Sequence, residues 1–274
     1  SRESDQVRDS LRSLVDESVA VWDFPSWETL PHERLSPHPE TVARRLSVLR
    51  ALAHRNSGDS PLVVVASVRS LIQPVNADLA TSPWLLLKTG QYPGGIEGLS
   101  SGLVSLAYQR VDLVTRRGEF AVRGGIVDVF PALEDHPVRA DFFGDEIDEL
   151  TSFSVADQRS LTAVESVNIP PAREMLLSEG VRAKARQLVH EYPGVGGMLE
   201  KIANGIPADG MESLQPALAA SMGPVTDFFP PDTVIIELQP ERGRSRARAL
   251  IDTNREFLEA AWETAAAGAR VRCS

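Results

Sequence analysis

The sequence predicts an α/β protein in which a parallel sheet covered by helices is interrupted by a β-rich insert. Helix-like and strand-like segments alternate up to residue 72, strand-like segments dominate residues 85–169, and helical spacing returns after Pro171. A chain of 274 residues has room for about two domains, and 42% of apolar residues are enough for a sizeable core.

The first segments alternate between helix and strand. Residues 2–18 carry apolar side chains at helical spacing, 19–22 form a short apolar run, and 40–53 are again helical in pattern. Leu62–Ala66 reads LVVVA, a continuous apolar run typical of a strand buried on both faces. Ser67 has the chemistry of a helix N-cap, which predicts that a short helix follows. This order favours a parallel sheet covered by helices.

The middle of the chain has the pattern of a sheet. Segments 119–130, 137–143 and 146–153 alternate between apolar and polar residues. Gly144-Asp145 separates the last two segments and has the composition of a two-residue hairpin turn. The apolar positions change parity at Gly124-Gly125, which predicts a one-residue β-bulge inside the first segment.

Beyond Pro171 the pattern is helical with one exception. Residues 179–191 and 196–203 are predicted to be helices, and so is the long segment 241–267. Thr233–Leu238 reads TVIIEL, which predicts another buried strand.

These changes of pattern divide the chain into three regions. Residues 1–84 are predicted to form the first part of the α/β domain, and residues 85–169 the inserted β-rich domain. Residues 170–274 form the second part of the α/β domain and end in the long helix.

The sequence contains no recognisable catalytic or cofactor-binding signature. Lys88-Thr89 is preceded by SPWLLL, so the glycine-rich loop that would cradle a triphosphate is missing. The five histidines are scattered and the single cysteine is Cys273, which predicts neither a metal centre nor a disulfide. We therefore expect no cofactor, no metal and no catalytic residue in this chain.

The composition indicates where the protein is located in the cell and which classes of partner it is expected to bind. The 28 Lys and Arg residues against 38 Asp and Glu residues give a net charge of −10, which disfavours a surface that binds nucleic acid non-specifically. No apolar run reaches the roughly 20 residues that a membrane span requires, and the first residues lack the apolar core of a signal peptide. These features predict a cytoplasmic protein without a membrane partner.

One strand of the predicted insert presents a charged and an aromatic side chain together. Val138 and Phe142 are apolar and share one face of this strand. Arg139 and Phe143 then lie on the opposite face, which points outward if the apolar pair faces the core. Arg123 can join them from the neighbouring strand. Two interpretations are open at this point: a sheet face that another part of the protein covers, or a protein-binding patch, since exposed aromatic rings beside arginine are typical of interface hot spots.

Long stretches of the chain resemble one family. GEFAVRGGIVDVFP, VRADFFGDEID and DQRS are similar to the insert domain shared by the bacterial excinuclease subunit UvrB and the transcription-repair coupling factors. WETLPHERLSPHPETVARRLSVL and PLVVVASVRSLIQPV resemble the coupling-factor version of the first domain. The resemblance covers nearly the whole chain, which is identified on these motifs as an amino-terminal, UvrB-homology region of a coupling factor.

The resemblance implies a fold and a site. The implied fold is a UvrB-like, degenerate nucleotide-binding-type domain, interrupted by an inserted mixed α+β domain that docks UvrA. In the family, UvrA is docked through arginines and an aromatic residue at the positions that match Arg123, Arg139 and Phe143. The resemblance therefore favours the binding-patch interpretation.

The same resemblance implies a non-catalytic adaptor that recruits UvrA to RNA polymerase stalled at a lesion, in transcription-coupled nucleotide excision repair. The implied full-length protein is an ATP-dependent DNA translocase that holds ATP and Mg²⁺ in its motor domains and contacts RNA polymerase and DNA through other domains. Its carboxy-terminal domain is expected to cover the UvrA-docking face in an autoinhibited state. Two alternatives stay open: a remnant DNA-dependent ATPase and a DNA-binding module, both related to UvrB.

Overall fold

The computed structural model describes residues 2–29, 35–56 and 58–271 and shows a mixed α/β protein. Its α-helices are α1 (Arg2–Leu14), α2 (Pro39–Ala53), α3 (Val68–Ile72), α4 (Gly95–Ser105), α5 (Glu179–Leu188), α6 (Gly196–Ala203), α7 (Gln215–Leu218) and α8 (Pro240–Val271). Its strands are β1 (Ala20–Phe24), β2 (Leu62–Ala66), β3 (Val75–Asn76), β4 (Leu85–Lys88), β5 (Gly90–Gln91), β6 (Gln109–Arg110), β7 (Glu119–Arg123), β8 (Ile126–Val129), β9 (Val138–Phe143), β10 (Glu146–Phe153), β11 (Ser160–Ala163), β12 (Ser166–Ile169) and β13 (Met222–Gly223).

The first two strands form the parallel pair that the alternating pattern predicts. β1 and β2 run parallel, with Ala20 opposite Leu62 and Phe24 opposite Ala66. α2 covers the pair through buried apolar side chains that cluster with Phe24, namely Val42, Leu46, Val48 and Leu49. The side chains of β2 are half-buried rather than buried on both faces. In the described residues this sheet consists of β1 and β2 alone.

Local hydrogen bonds set the ends of two helices. The Ser67 side chain accepts a hydrogen bond from the backbone N–H of Ser70, which confirms the predicted N-cap of α3. α1 ends at Leu14 rather than at residue 18, because the Asp16 side chain accepts a hydrogen bond from the backbone N–H of Ser18 at 2.9 Å and closes a turn there.

A seven-stranded sheet, called the large sheet below, forms the middle of the molecule. Its strand order is β11-β10-β9-β8-β7-β6, and β5 pairs with the first residues of β10. α4 packs on one face of it, in a buried apolar cluster that includes Leu99, Leu103, Phe120, Val127, Ala140 and Ile147. Outside the large sheet, β4 pairs antiparallel with β12, so that Leu85 lies opposite Ile169.

The turn between β9 and β10 is the one that its composition predicts. Phe143 pairs with Glu146, which leaves Gly144-Asp145 as a two-residue hairpin turn. Gly144 has a φ of +63°, a left-handed conformation that glycine adopts without steric cost.

The β-bulge predicted at Gly124-Gly125 is wrong. Arg123 pairs with Ile126, so the two glycines form a hairpin turn between β7 and β8. The parity of the apolar positions changes there because the chain reverses direction. A φ of +59° at Gly124 suits the first central position of a tight hairpin turn.

The helices after residue 170 form a separate buried cluster. α5 and α6 pack against each other and against the segment that leads into α7; the cluster includes Ala185, Leu199, Ile202, Met211 and Leu218. β13 pairs antiparallel with β3, with Met222 opposite Asn76. This pairing ties the last region of the chain to the first.

The buried strand predicted at Thr233–Leu238 is not formed. The segment has no regular secondary structure, and its apolar side chains are exposed, Val234 and Ile236 to 81% and 80%. An apolar run forms a strand only where a neighbouring strand satisfies its backbone hydrogen bonds, and within the described ranges no strand pairs with this one. The predicted long helix does follow, as α8.

The described helices do not have the length and hydropathy of a membrane span. α8 is 32 residues long, but its sequence is rich in Arg and Glu. In the part of the chain that the structure describes, no helix is both long and apolar enough to cross a bilayer.

A buried ion pair joins α2 to the segment after β12. Arg45 and Glu174 are both fully buried, and Nε of Arg45 donates to a Glu174 carboxylate oxygen. The indole N–H of Trp27 donates to the same oxygen at 2.8 Å. The Arg45 guanidinium also donates to the Pro25 carbonyl at 2.9 Å and lies 4.4 Å from the centre of the Phe24 ring. Nε and Nη1 of Arg45 and one carboxylate oxygen of Glu174 are thus paired away from water, whereas Nη2 of Arg45 and the other Glu174 oxygen have no hydrogen-bond partner among the described residues.

We predict that Arg45→Leu lowers the free energy of unfolding by about 3–5 kcal/mol, because it leaves the Glu174 carboxylate buried without its counter-charge. The double variant Arg45→Leu/Glu174→Leu should recover part of this loss, since both buried charges then disappear. Urea unfolding followed by circular dichroism measures both effects. Arg159→Ala is the control, because the Arg159 side chain is 85% exposed. A loss no larger than that of the control would contradict the prediction.

Candidate protein-docking face on the large sheet

Three neighbouring strands place the candidate residues on one face of the large sheet. β7, β8 and β9 turn Phe120, Val127 and Ala140 toward the core beneath α4. Residues of opposite parity point to the other face, since side chains alternate along a strand. We call this other face the docking face, and it carries Ala121, Arg123, Ile126, Asp128, Arg139, Asp141 and Phe143.

A buried carboxylate holds both candidate arginines. Asp128 is 1% exposed. Arg139 binds it in a bidentate manner, with Nε 2.7 Å from Oδ1 and Nη2 3.0 Å from Oδ2. Arg123 donates from Nη2 to Oδ2 as well. Hydrogen bonding to Asp128 is the main cause that raises the pKa of the Arg139 guanidinium. Two guanidinium groups against one carboxylate leave these three side chains with a net positive charge.

Arg139 is largely covered by its own protein. Its side chain is 16% exposed, its guanidinium carbon lies 4.6 Å from the centre of the Phe153 ring, and Nη1 donates to the Gln158 carbonyl at 3.4 Å. Phe153 belongs to a small apolar cluster on this side of the sheet, with Val114, Ala121 and Phe130. The interpretation that the protein covers its own sheet face therefore applies to this end of the docking face.

The other end of the docking face is open. Phe143 is 84% exposed and the Arg123 side chain is 47% exposed. Each of them ends its strand directly before a two-residue turn, and β7 and β9 run in the same direction because both are antiparallel to β8. An exposed ring and a half-exposed guanidinium therefore lie at the same end of the sheet, with β8 between their strands.

Carboxylates also surround Phe143. Asp141 precedes it by two residues on the same face, and Glu146 is its cross-strand partner on β10. Glu149 lies opposite Asp141. Phe143 is therefore bordered by acidic side chains as well as by the Arg123 side of the face.

Sequence reasoning missed the central residue of the face, Asp128. The signal was present, because Val127 and Val129 point to the core and Asp128 between them must point the other way. Only the strand register shows that Arg139 stands directly opposite Asp128 on β9, while Arg123 reaches it from β7.

The chemistry available on this face is recognition by charge, hydrogen bonding and one apolar ring. Within residues 2–29, 35–56 and 58–271, no group of three or more His, Cys, Asp or Glu side chains is arranged to hold a metal ion.

The sequence of this chain is similar to known proteins, both in the region of the docking face and over the rest of its length. The family model for the UvrB interaction domain matches residues 86–175, which include the docking face. The chain is 47% identical to the transcription-repair-coupling factors of Mycobacterium bovis and Mycobacterium tuberculosis, over 97% of this chain and 22% of theirs. It is 31% identical to the transcription-repair-coupling factor of Escherichia coli, over 84% of this chain and 20% of that protein. The chain thus spans about a fifth of the length of the curated relatives it matches.

We predict that Asp128→Ala lowers the free energy of unfolding by about 2–4 kcal/mol, because Arg139 then stays mostly covered without a counter-charge. The range lies below that of a fully buried pair, since Arg139 keeps some contact with water. Glu149→Ala is the matched control, as it removes an exposed carboxylate from the same sheet and should change stability by less than about 0.5 kcal/mol. Equal urea midpoints for the two variants would show that Asp128 does not hold the arginines.

Proposed function

Since this chain belongs to the transcription-repair-coupling factor family, we propose that it docks UvrA during transcription-coupled DNA repair and has no catalytic role itself. The observation that carries this proposal is the exposed ring of Phe143 within the residues that match the UvrB interaction domain. A ring that is 84% exposed is costly to keep in water, and buried rings beside arginine are frequent hot spots of protein interfaces.

The three candidate residues have different roles in this proposal. Phe143 inserts into an apolar pocket of UvrA. Arg123 is half-exposed, and the N–H groups that it does not give to Asp128 pair with acidic groups of UvrA. Arg139 is a positioning residue, because it holds the carboxylate that in turn holds Arg123.

The arrangement of the regions belongs to the same proposal. Residues 1–84 and 170–274 form a UvrB-like, degenerate nucleotide-binding-type domain, and residues 85–169 are the inserted UvrA-docking domain. The parallel pair β1–β2 and the pairing of β3 with β13 support the first assignment, and the pairing of β4 with β12 supports the second.

In the full-length protein this chain recruits UvrA to RNA polymerase stalled at a lesion. ATP and Mg²⁺ are bound by the motor domains of that protein, which we take to be an ATP-dependent DNA translocase. RNA polymerase and DNA are contacted through other domains. In the resting state, its carboxy-terminal domain covers the docking face.

We predict that Phe143→Ala weakens the affinity of this chain for UvrA by about 30-fold or more, the loss typical of a hot-spot ring. Isothermal titration of UvrA with each variant measures the effect. Arg123→Ala should weaken binding as well, and the loss should shrink as salt rises, because an ion pair at the edge of an interface is screened.

Two matched controls accompany these variants. Val104→Ala removes an apolar side chain that is 60% exposed on α4, on the other face of the large sheet. Arg186→Ala removes an arginine on α5 whose side chain is 48% exposed, close to the value for Arg123. Unchanged affinity in Phe143→Ala, with an intact circular dichroism spectrum, would reject the proposed docking site.

We also predict that this chain binds UvrA more tightly than the resting full-length protein does. A tethered domain acts at high effective concentration, so even a weak contact over the docking face can suppress binding about 100-fold. The measurement is one titration of UvrA against both proteins in the same buffer without nucleotide. Equal affinities would mean that the face is not masked.

A further inference from the structure

A groove of about 830 Å³ lies between α1, β1 and α2, and none of the docking-face residues lines it. Two of the four tryptophans of the chain, Trp22 and Trp84, form part of its wall. Ala51 adds apolar surface from α2. Trp84 is half-buried against the core, so the aromatic surface on which a planar group can stack is that of Trp22, which is 36% exposed.

Arginines supply most of the charge in this groove. Arg8 and Arg44 line it and both pair with Asp23, at 3.4 Å and 3.5 Å. Arg8 also pairs with Asp9, and Arg44 with Glu40. The charge of these two arginines is therefore largely neutralised inside the protein.

The two other arginines of the groove are bound by backbone carbonyls and not by carboxylates. Nε and Nη2 of Arg12 donate to the Val21 carbonyl at 3.1 Å and 3.0 Å, and Nη1 of Arg50 donates to the Ser82 carbonyl at 3.2 Å. Throughout the part of the chain that the structure describes, neither Arg12 nor Arg50 forms an ion pair with a carboxylate. The carbonyls orient these guanidinium groups without neutralising them.

One of these cations, Arg50, lies over a ring of the aromatic wall. The guanidinium carbon of Arg50 is 5.4 Å from the centre of the Trp84 ring, and the Trp22 side chain is 36% exposed. A ring with a cation beside it is suited to a ligand that joins a flat base to an anion.

We propose that this groove binds single-stranded nucleic acid, with a base stacked on Trp22 and phosphates held by Arg12 and Arg50. Stacking on aromatic side chains along a basic groove is the usual mode of single-strand binding. A triphosphate would need the glycine-rich loop that this chain lacks, whereas a strand presents its phosphates one at a time, which suits two separate arginines. The volume of the groove leaves room for more than one base.

The test is fluorescence anisotropy of an end-labelled hexathymidylate titrated with this chain at low salt. Trp22→Ala is expected to weaken binding about 5- to 150-fold, the range for the loss of one stacking ring. Arg12→Gln, at an exposed position, is expected to weaken binding and to lower the slope of log affinity against log salt by about one. Arg186→Ala, outside the groove, should bind like the wild type, and thermal unfolding verifies that each variant is folded.

Any of the following results would overturn the proposal. The first is the absence of binding by the wild type at low salt, or wild-type affinity in both Trp22→Ala and Arg12→Gln. The second is a hexamer duplex that binds as tightly as the single strand. The third is displacement of the oligonucleotide by AMP at equal nucleotide concentration, which would make a free nucleotide the ligand. The groove variants should leave the affinity for UvrA unchanged, so this proposal and the proposed function can fail separately.

Discussion

The arrangement of the chain depends on the buried pair of Arg45 and Glu174. Both side chains are fully buried, and removing one partner of such a pair would leave an uncompensated charge in the interior. Arg45 lies on α2 and Glu174 follows the last strand of the middle region, so folding must bring these distant segments together. Trp27 donates to the same carboxylate, and the Gln215 side chain donates to the Glu174 backbone carbonyl at 3.3 Å. Four segments of the chain thus meet at one carboxylate-bearing residue.

The docking face follows the same rule on a smaller scale. Asp128 is buried in the sheet, so it requires cationic neighbours, and it commits part of each arginine to the interior of the protein. Arg139 is consequently mostly covered, whereas Arg123 keeps about half of its surface exposed. Phe143 has no such partner to cover it, and the open end of the face is therefore the end that carries the ring.

The pairing of each arginine separates structural cations from those available to a ligand. Where a carboxylate is within reach, as at Glu174 and Asp23, the charge is used to hold the fold. Where the partner is a backbone carbonyl, as for Arg12 and Arg50, the group is positioned but stays charged. This difference explains how a chain with a net charge of −10 can still present a positive groove. The planar guanidinium suits both uses, since it can bind in a bidentate manner and stack on rings.

Features that depend on chain neighbours were predictable from the sequence. The bounds of β2, the Ser67 cap and the Gly144-Asp145 turn all follow from residues adjacent to one another. The predicted bulge at Gly124-Gly125 is wrong and the predicted strand at Thr233–Leu238 is not formed. Both predictions depend on which segment pairs with the strand in question. The spacing of apolar residues indicates which secondary structure a segment favours. It carries no information about which strand will pair with that segment.

By itself the sequence determined the α/β order of the elements and the parity that places Arg139 and Phe143 on one face of β9. Only the tertiary structure decided that Arg139 is covered while Phe143 is open. The physical reason is that the alternation of side chains is a property of one strand. The burial of a side chain depends on which side chains of neighbouring strands pack over it. Asp128 and Phe153 reach Arg139 from β8 and β10, and no comparable side chain covers Phe143 within the described residues.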